Sequence, residues 1–362
     1  MFNRILVPLD GSTLAERAIP HAEQFARIFG SSIMLLQVLD PTSFHENPSP
    51  VDPLSWQIRK AEADMYMQGI AARIRAELQE SPEDTQGAQD KGKDVVKTSV
   101  EYSIREGKTA ENIVNFAHSE AIDLLVISTH GSGGLSRWNI SSVTQKVINL
   151  IYLPVLVVRA YCLPALPDAR VRYRRILLPI DSSRRAECSL AAGIALAGGE
   201  LSSGYLSEGN NRLLRHTALT ISPPRTRLIL TAVIKPPELP IPEPYPIEID
   251  QLSSQLMDVS RQAVTSYLNE MKERLPVECE SIVLENVSVS SAIQELANRE
   301  EDIDLVVLCA HGYTGQVAWP YGSVARNYLD HGTKPVLIIQ DVPRSQVRPT
   351  AAEIAAEKSG GR

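Results

Sequence analysis

Short, unbroken apolar runs alternate along the whole chain with longer stretches in which apolar residues recur at helical spacing. The runs predict β-strands, and the stretches between them predict helices. In the first half the predicted strands are residues 4–9, 32–38, 95–104, 123–128 and 154–158, and the predicted helices are 14–29, 54–78, 109–120 and 142–151.

The second half repeats this plan, with strands at 175–180, 227–234, 280–287, 303–309 and 335–340 and helices at 184–197, 249–275, 290–299 and 322–331. The strands are solidly apolar rather than alternating, which is typical of parallel strands covered on both faces. Because strand and helix alternate, the pattern predicts the α/β class, with two tandem, open, doubly wound parallel sheets of five strands each.

Three segments of the first half return in the second half in the same order, which indicates a duplicated domain. Arg4–Ser12 returns as Arg175–Ser183, Asp123–Gly131 as Asp304–Gly312, and Leu153–Val158 as Lys334–Ile339. We predict a first domain at residues 1–160, a linker at 161–172, a second domain at 173–342 and a polar tail at 343–362.

Local patterns add detail to this plan. Thr13 and Glu16 have the spacing of a capping box at the start of the first helix. The second half carries an insertion between Gly198 and Arg227, rich in Gly, Ser and Asn, with a short helix expected around residues 212–216. Residues 351–358 of the tail predict a turn or two of helix.

Charge and composition argue against several classes of protein. A net charge of −7 over 362 residues argues against a nucleic-acid-binding surface. The apolar runs are well short of the ~20 residues that cross a membrane, and we expect no membrane association. Four cysteines lack CxxC spacing and a histidine partner, so metal and disulfide sites have little support: Cys162, Cys188, Cys279 and Cys309. We expect a reduced, cytoplasmic protein.

The repeated segments place polar residues at matching strand ends. Asp10 and Asp181 follow the first strand of each half, and Ser128–Gly131 and Cys309–Gly312 lie at the end of the fourth. Ligands of an open parallel sheet bind at the carboxyl ends of the strands where the strand order reverses. The first and fourth strands should be neighbours there, so the sequence predicts one crevice in each half.

A helix start follows each of these segments. Nine residues separate Gly131 from Ser141 and Gly312 from Gly322. Ser141 and Gly322 are small residues, and each opens a predicted helix. The free N–H groups and the dipole of a helix N-terminus suit a phosphate. With an aspartate placed to accept from an amino group or a ribose hydroxyl, the arrangement predicts a nucleotide cradle.

These motifs resemble the universal stress protein family in its tandem form, over nearly all of residues 2–340. The family's ATP-binding members carry G-x2-G-x9-G-[S/T] after the fourth strand. The pattern falls on Ser128, Gly131, Ser141 and Ser142 in the first half and on Cys309, Gly312, Gly322 and Ser323 in the second. The resemblance implies a Rossmann-like fold of the adenine nucleotide alpha hydrolase type. It also implies a nucleotide-responsive, non-catalytic regulatory or protective role in the stress response.

The resemblance further implies the ligand and its contacts. Base and ribose would contact Pro8, Asp10, Val38 and Ile127, or Pro179, Asp181, Val233 and Leu308. The remaining site residues would be Ser128, His130, Gly131, Ser141, Ser142 and Val143, or Cys309, His311, Gly312, Gly322, Ser323 and Val324. The expected ligand is ATP or a related adenine nucleotide, with Mg²⁺ accompanying its phosphates.

Both halves depart from the family pattern, the first keeping one of three glycines and the second two. We expect a Gly→Ser replacement to fall where φ is positive and to cost on the order of 1 kcal/mol. A loss of about 1.4 kcal/mol weakens binding tenfold. We therefore expect nucleotide to bind more tightly in the second half.

Alternatives remain. His130 and His311 could serve a slow ATPase or nucleotidyl transferase, but no second acid or base accompanies them, and we favour a role in shaping the loop. A second alternative is that neither half binds nucleotide and that the chain is a protein-interaction module. The aspartates could be helix caps, an interpretation only slightly less favoured than the ligand role. For Cys309 we favour a buried, inert thiol over a redox switch.

The last strands, 154–158 and 335–340, are apolar edges that need cover. In the family such strands pair two domains about a pseudo-twofold axis, and the resemblance implies this pairing between the two halves. A homodimer of the whole chain and an unidentified protein partner are further expectations.

Overall fold

The computed structural model describes residues 1–41, 52–79, 98–132, 140–161, 170–198, 226–238, 247–300, 302–313 and 320–341. The chain divides into two compact units, Met1–Val171 and Arg172–Arg362. Among the described residues, no helix has the length and apolar composition needed to span a membrane. The predicted short helix at 212–216 and the helical turns at 351–358 lie outside these ranges.

The first unit is a five-stranded parallel sheet with helices between its strands. Its elements are β1 (Arg4–Leu9), α1 (Thr13–Glu16), α2 (Ile19–Phe29), β2 (Ser32–Leu39), α3 (Pro53–Gln79), β3 (Val100–Glu106), α4 (Thr109–Ser119), β4 (Leu124–Ser128), α5 (Ser142–Leu150) and β5 (Val155–Val158). The strand order is β3-β2-β1-β4-β5. All five residues of β4 are buried, as its solid apolar run predicts.

The second unit has the same plan. Its elements are β6 (Arg175–Pro179), α6 (Cys188–Leu196), β7 (Arg227–Ile234), α7 (Ile247–Arg274), β8 (Cys279–Glu285), α8 (Val289–Arg299), β9 (Ile303–Cys309), α9 (Ser323–His331) and β10 (Val336–Ile339). The order β8-β7-β6-β9-β10 repeats that of the first unit, and these strands too are parallel.

The order of strands reverses between β1 and β4 and between β6 and β9. Ile5 lies opposite Leu124, and Ile176 lies opposite Leu305. Each pair runs parallel, so both strands end at the same edge of the sheet. The α/β class, the doubly wound topology and the predicted neighbours at the reversal point are confirmed.

The predicted capping box at the start of the first helix is wrong. The N-cap of α1 is Ser12, whose side chain accepts from the backbone N–H of Ala15. The helix also ends early, at Glu16, and α2 begins at Ile19. Pro20 explains the break because it has no N–H to donate to the carbonyl of Glu16.

The bounds of β3 and α6 also differ from the prediction. β3 begins at Val100 and extends to Glu106, rather than ending at residue 104. α6 begins at Cys188 rather than at residue 184, because residues 184–187 form turns. The backbone of Ser182, at φ 63°, lies in the left-handed region just before these turns.

Ser182 matches Gly11 of the first unit, which has φ 81°. Glycine adopts this conformation without steric cost, whereas a residue with a Cβ is strained there by about 1–2 kcal/mol. The nearest atom to a Cβ added at Gly11 is Gln37 Nε2 at 4.0 Å, so the space around the turn does not limit the side chain.

We predict that Ser182→Gly stabilises the protein by about 0.5–1 kcal/mol and that Gly11→Ser destabilises it by a similar amount. Urea unfolding of the full chain measures both variants. The midpoint should rise for Ser182→Gly and fall for Gly11→Ser. A lower midpoint for Ser182→Gly would contradict the assignment of strain to this turn.

Candidate functional site

Asp10 follows β1 and joins it to the segment after β4. Its Oδ1 accepts from the backbone N–H of Ser12 at 3.0 Å and from the Ser12 hydroxyl at 2.6 Å. Its Oδ2 accepts from the backbone N–H of Ser132 at 2.7 Å, 122 residues along the chain. One carboxylate therefore ties the ends of two neighbouring strands together.

Asp181 makes the same set of contacts in the second unit. Its Oδ1 accepts from the backbone N–H and the hydroxyl of Ser183 at 3.1 and 2.5 Å. Its Oδ2 accepts from the backbone N–H of Tyr313 at 2.6 Å. We call each arrangement the carboxylate bridge: Asp10 with Ser12 and Ser132, and Asp181 with Ser183 and Tyr313.

The carboxylate bridge also orients the first helical turn. The hydroxyls of Ser12 and Ser183 accept from the backbone N–H groups of Ala15 and Ala186, both at 3.1 Å. The serines are thus the caps, and each aspartate holds its serine in place. Both aspartates are exposed and make three hydrogen bonds, and a carboxylate offers about four acceptor positions, so one remains for a ligand.

The glycine after each histidine lies against the carboxylate bridge. A Cβ added at Gly131 would overlap the carboxylate of Asp10, and one at Gly312 would overlap that of Asp181. The family resemblance implies nucleotide contacts at these glycines, but their contact with the aspartate accounts for them without a ligand.

The starts of α5 and α9 are attached to the fourth strands by matching backbone bonds. Ser141 donates its N–H to the carbonyl of Thr129, and Gly322 donates to that of Ala310, both at 2.8 Å. Ser141 has φ −57° and Gly322 has φ −66°. The expectation that serine replaces a glycine of positive φ is therefore wrong here, and Ser141 carries no such strain.

The two helix starts differ in how their N–H groups are satisfied. In the first unit the hydroxyl of Ser141 accepts from the backbone N–H of Thr144 at 3.2 Å, and the Thr144 hydroxyl donates to the carbonyl of Ser128 at 3.0 Å. In the second unit Gly322 is the N-cap of α9, which has no side-chain cap. Of these two helices, only α9 lacks a capping side chain among the described residues.

The two histidines have different partners. The His130 Nδ1 lies 3.0 Å from the Thr129 hydroxyl, whereas the His311 Nδ1 lies 2.7 Å from the Asp341 carboxylate. The side chains of His311 and Asp341 are 3% and 2% exposed. Sequence reasoning missed Asp341, which directly follows Gln340 at the end of the last strand. The position of an aspartate after a strand, as at Asp10, was the available signal.

The other predicted residues line the same edge with different exposure. Ile127 and Leu308 are 5% and 3% exposed and offer a ligand little surface. Val38 and Val233 are half-buried. The remaining residues divide into buried Pro8 and Ser128, half-buried Pro179, Cys309 and Val324, and exposed Ser142, Val143 and Ser323. Cys309 is thus not the buried thiol that we favoured.

Tyr321 precedes the start of α9 and is 4% exposed. Burial raises the pKa of its phenol, so the hydroxyl stays protonated at neutral pH. Among the described residues, no group of three or more His, Cys, Asp or Glu is arranged to hold a metal ion.

Comparisons with known proteins indicate the family and agree with the fold. The model of the universal stress protein family matches residues 1–159 and 204–340. A universal stress protein of Methanocaldococcus jannaschii is 29% identical over 165 residues, which cover 44% of this chain and 83% of the relative. A second universal stress protein of that organism is 28% identical over 159 residues, or 44% of this chain and 96% of the relative.

Solved structures share the fold over most of the chain. A universal stress protein from Archaeoglobus fulgidus has a TM-score of 0.54 at 14% identity, covering 94% of this chain and all of that one. A putative universal stress protein from Pseudomonas aeruginosa has a TM-score of 0.54 at 16% identity, covering 94% and 93%. At such identities the likeness concerns the fold alone.

We predict that Gly312→Ala destabilises the protein by about 1–3 kcal/mol, because the new methyl group displaces the Asp181 carboxylate. Gly322→Ala is the matched control: its Cβ would lie 3.4 Å from the carbonyl of Ala310, at an ordinary φ. Urea unfolding should show a change within about 0.5 kcal/mol for the control. Equal effects of the two variants would contradict the role of the carboxylate bridge.

Proposed function

Because this chain belongs to the universal stress protein family, we propose that it is a non-catalytic regulatory or protective protein of the stress response. In this proposal it binds an adenine nucleotide, ATP in the first instance, in the crevice of its second unit. The protein acts in the cytoplasm. The helix start at Gly322, which lacks the capping hydroxyl that Ser141 supplies in the first unit, carries the assignment of the site.

The phosphates are assigned to the N-terminus of α9. The N–H groups of its first turn point out of the helix, and the helix dipole favours negative charge there. Gly322 has no side chain to occupy this space. In the first unit the hydroxyl of Ser141 already accepts from the N–H of Thr144 and competes with a phosphate oxygen.

The ribose is assigned to Asp181. Its carboxylate accepts three hydrogen bonds from Ser183 and Tyr313. The remaining acceptor position suits a ribose hydroxyl, and half-buried Val233 offers apolar surface beside it for the base. Mg²⁺ would arrive with the phosphates, whose oxygens and water supply its ligands, because the described residues provide no dedicated cation site.

Nucleotide would act by shifting the population of conformations around Tyr313. Tyr313 is connected through its N–H to the carboxylate that the ribose would contact, and its side chain is 80% exposed. A ligand that favours one arrangement of the carboxylate bridge therefore alters this exposed surface, which a protein partner could recognise.

A catalytic role for His311 has less support. An acid or base must reach the proton that it transfers, but the His311 side chain is 3% exposed and is held by Asp341. We therefore assign His311 and Asp341 to positioning the strand end. Neither is proposed to act on the nucleotide.

We predict that Gly322→Ser weakens MgATP binding by about tenfold, equivalent to about 1.4 kcal/mol. The serine hydroxyl would accept from the N–H of Ala325, as Ser141 does from Thr144. Isothermal titration of the full chain measures the affinity. Ser141→Gly serves as the matched control in the first unit and should leave the affinity of the tight site unchanged. Wild-type affinity in Gly322→Ser would refute the assignment of the phosphates to α9.

The two aspartates provide a second comparison, because they make the same contacts in their own units. We predict that Asp181→Asn weakens MgATP binding by at least tenfold, whereas Asp10→Asn leaves it within about twofold of wild type. Thermal unfolding of each variant controls for damage to the fold. A greater loss in Asp10→Asn would move the site to the first unit, and no binding by the wild-type chain would favour an interaction module instead.

A further inference from the structure

Two cysteines far apart in the sequence meet beside the crevice of the second unit. Cys188 is the first residue of α6 and Cys309 the last of β9, and 121 residues separate them. Their sulfur atoms are 3.0 Å apart. Both residues are free thiols and half-buried.

The pair is confined to the second unit. Counted from the matched aspartates, Cys188 corresponds to Arg17, and counted from the matched glycines, Cys309 corresponds to Ser128. In the second unit both of these positions carry a thiol. In the first unit neither position does. The described residues contain no group that would add further ligands and turn the pair into a metal site.

We propose that Cys188 and Cys309 form a reversible disulfide bond when the protein meets a hydroperoxide. A disulfide needs sulfurs about 2.05 Å apart, so the observed pair has to close by only about 1 Å. The proposal does not depend on nucleotide binding. It replaces the sequence-based interpretation of Cys309 as an inert thiol, which lacked the information that a second thiol lies in contact with it.

The surroundings indicate the order of events. The contact with Cys309, burial and the charge of Asp341 raise the pKa of the Cys188 thiol, which therefore stays protonated. Because thiolates rather than thiols attack peroxide, this environment disfavours Cys188 as the first to react, and the first attack is assigned to Cys309. Cys188 then acts as the resolving thiol.

The chemistry balances with the peroxide as the only oxidant. With hydrogen peroxide, the Cys309 sulfur attacks one oxygen, the O–O bond breaks, the departing oxygen takes the proton that Cys309 gives up, and Cys309 becomes a sulfenic acid while one water leaves. The Cys188 sulfur then attacks the sulfenic sulfur and displaces its hydroxyl group. That group takes the proton of Cys188 and leaves as the second water. Two thiols are oxidised to a disulfide, and one hydroperoxide is reduced.

The disulfide bond would join two elements, α6 and β9, that lie close in sequence to the residues of the carboxylate bridge. Asp181 lies seven residues before Cys188, and Gly312, which packs against Asp181, lies three residues after Cys309. A covalent link between α6 and the end of β9 would restrict movement of one against the other. Oxidation would therefore hold this edge of the second unit in a single arrangement.

The test uses the full chain treated with hydrogen peroxide, blocked with N-ethylmaleimide and digested without reduction. Mass spectrometry should detect a peptide pair joined through Cys188 and Cys309, with two of the four thiols lost and both recovered by dithiothreitol. Cys279→Ser is the matched control and should keep the linked pair. Cys188→Ser and Cys309→Ser should each abolish it. Links through Cys162, links between chains, or alkylation of both cysteines after peroxide would overturn the proposal.

Trapping of the sulfenic acid tests the order of reaction. Dimedone should label Cys309 in the Cys188→Ser variant, which has no resolving thiol. In Cys309→Ser the labelling of Cys188 should be at least tenfold lower. Equal labelling in the two variants would contradict the assignment of Cys309 as the residue that reacts with peroxide.

Discussion

A single carboxylate at the end of the first strand organises the functional edge of each unit. It accepts from the backbone N–H of a segment more than 120 residues away and, on its other oxygen, from the serine that caps the first helical turn. The remaining features of the site follow from these contacts. The glycine after the histidine leaves room for the carboxylate, and the residue between the aspartate and the capping serine has positive φ in both units.

The duplicated units share this framework and differ at a small set of positions that contact one another. Ser128, Ser141 and Thr144 form a connected network in the first unit, and the second unit has Cys309, Gly322 and Ala325 in their places. The first network fills the helix start with its own hydroxyls. The second set leaves the helix start open and places a thiol beside Cys188. The units have therefore kept one fold and diverged in the side chains at this edge of the sheet.

Much of the fold could be predicted from the sequence because solid apolar runs and helical spacing are local signals. Parallel strands, the reversal of strand order and the convergence of Asp181 with Gly312 all follow from them. The bounds of β3 and α6 were less accurate, because turns and polar strand ends have little periodicity. The capping box failed because Thr13 and Glu16 have its spacing, whereas the structure shows that Ser12, held by Asp10, is the cap.

The site itself was harder to predict, since its decisive contacts join residues far apart in the chain. Asp341 lies 30 residues from His311, and Cys188 lies 121 residues from Cys309, so no spacing motif signals either pair. The sign of φ at Ser141 and Gly322 was also inaccessible to a pattern of residue types. A serine in a glycine-rich motif suggested strain, whereas the backbone there is ordinary for any residue.

The stoichiometry of nucleotide binding tests the account most directly. Native mass spectrometry of the intact full-length chain, with ATP and Mg²⁺ at increasing concentration, counts the nucleotides that each chain holds. Because Gly322 lacks the capping hydroxyl of Ser141, we expect nucleotide to bind in the second unit alone. Binding should then saturate at one nucleotide per chain at the ATP concentrations that fill this site. Two nucleotides bound with equal affinity, or none, would contradict it.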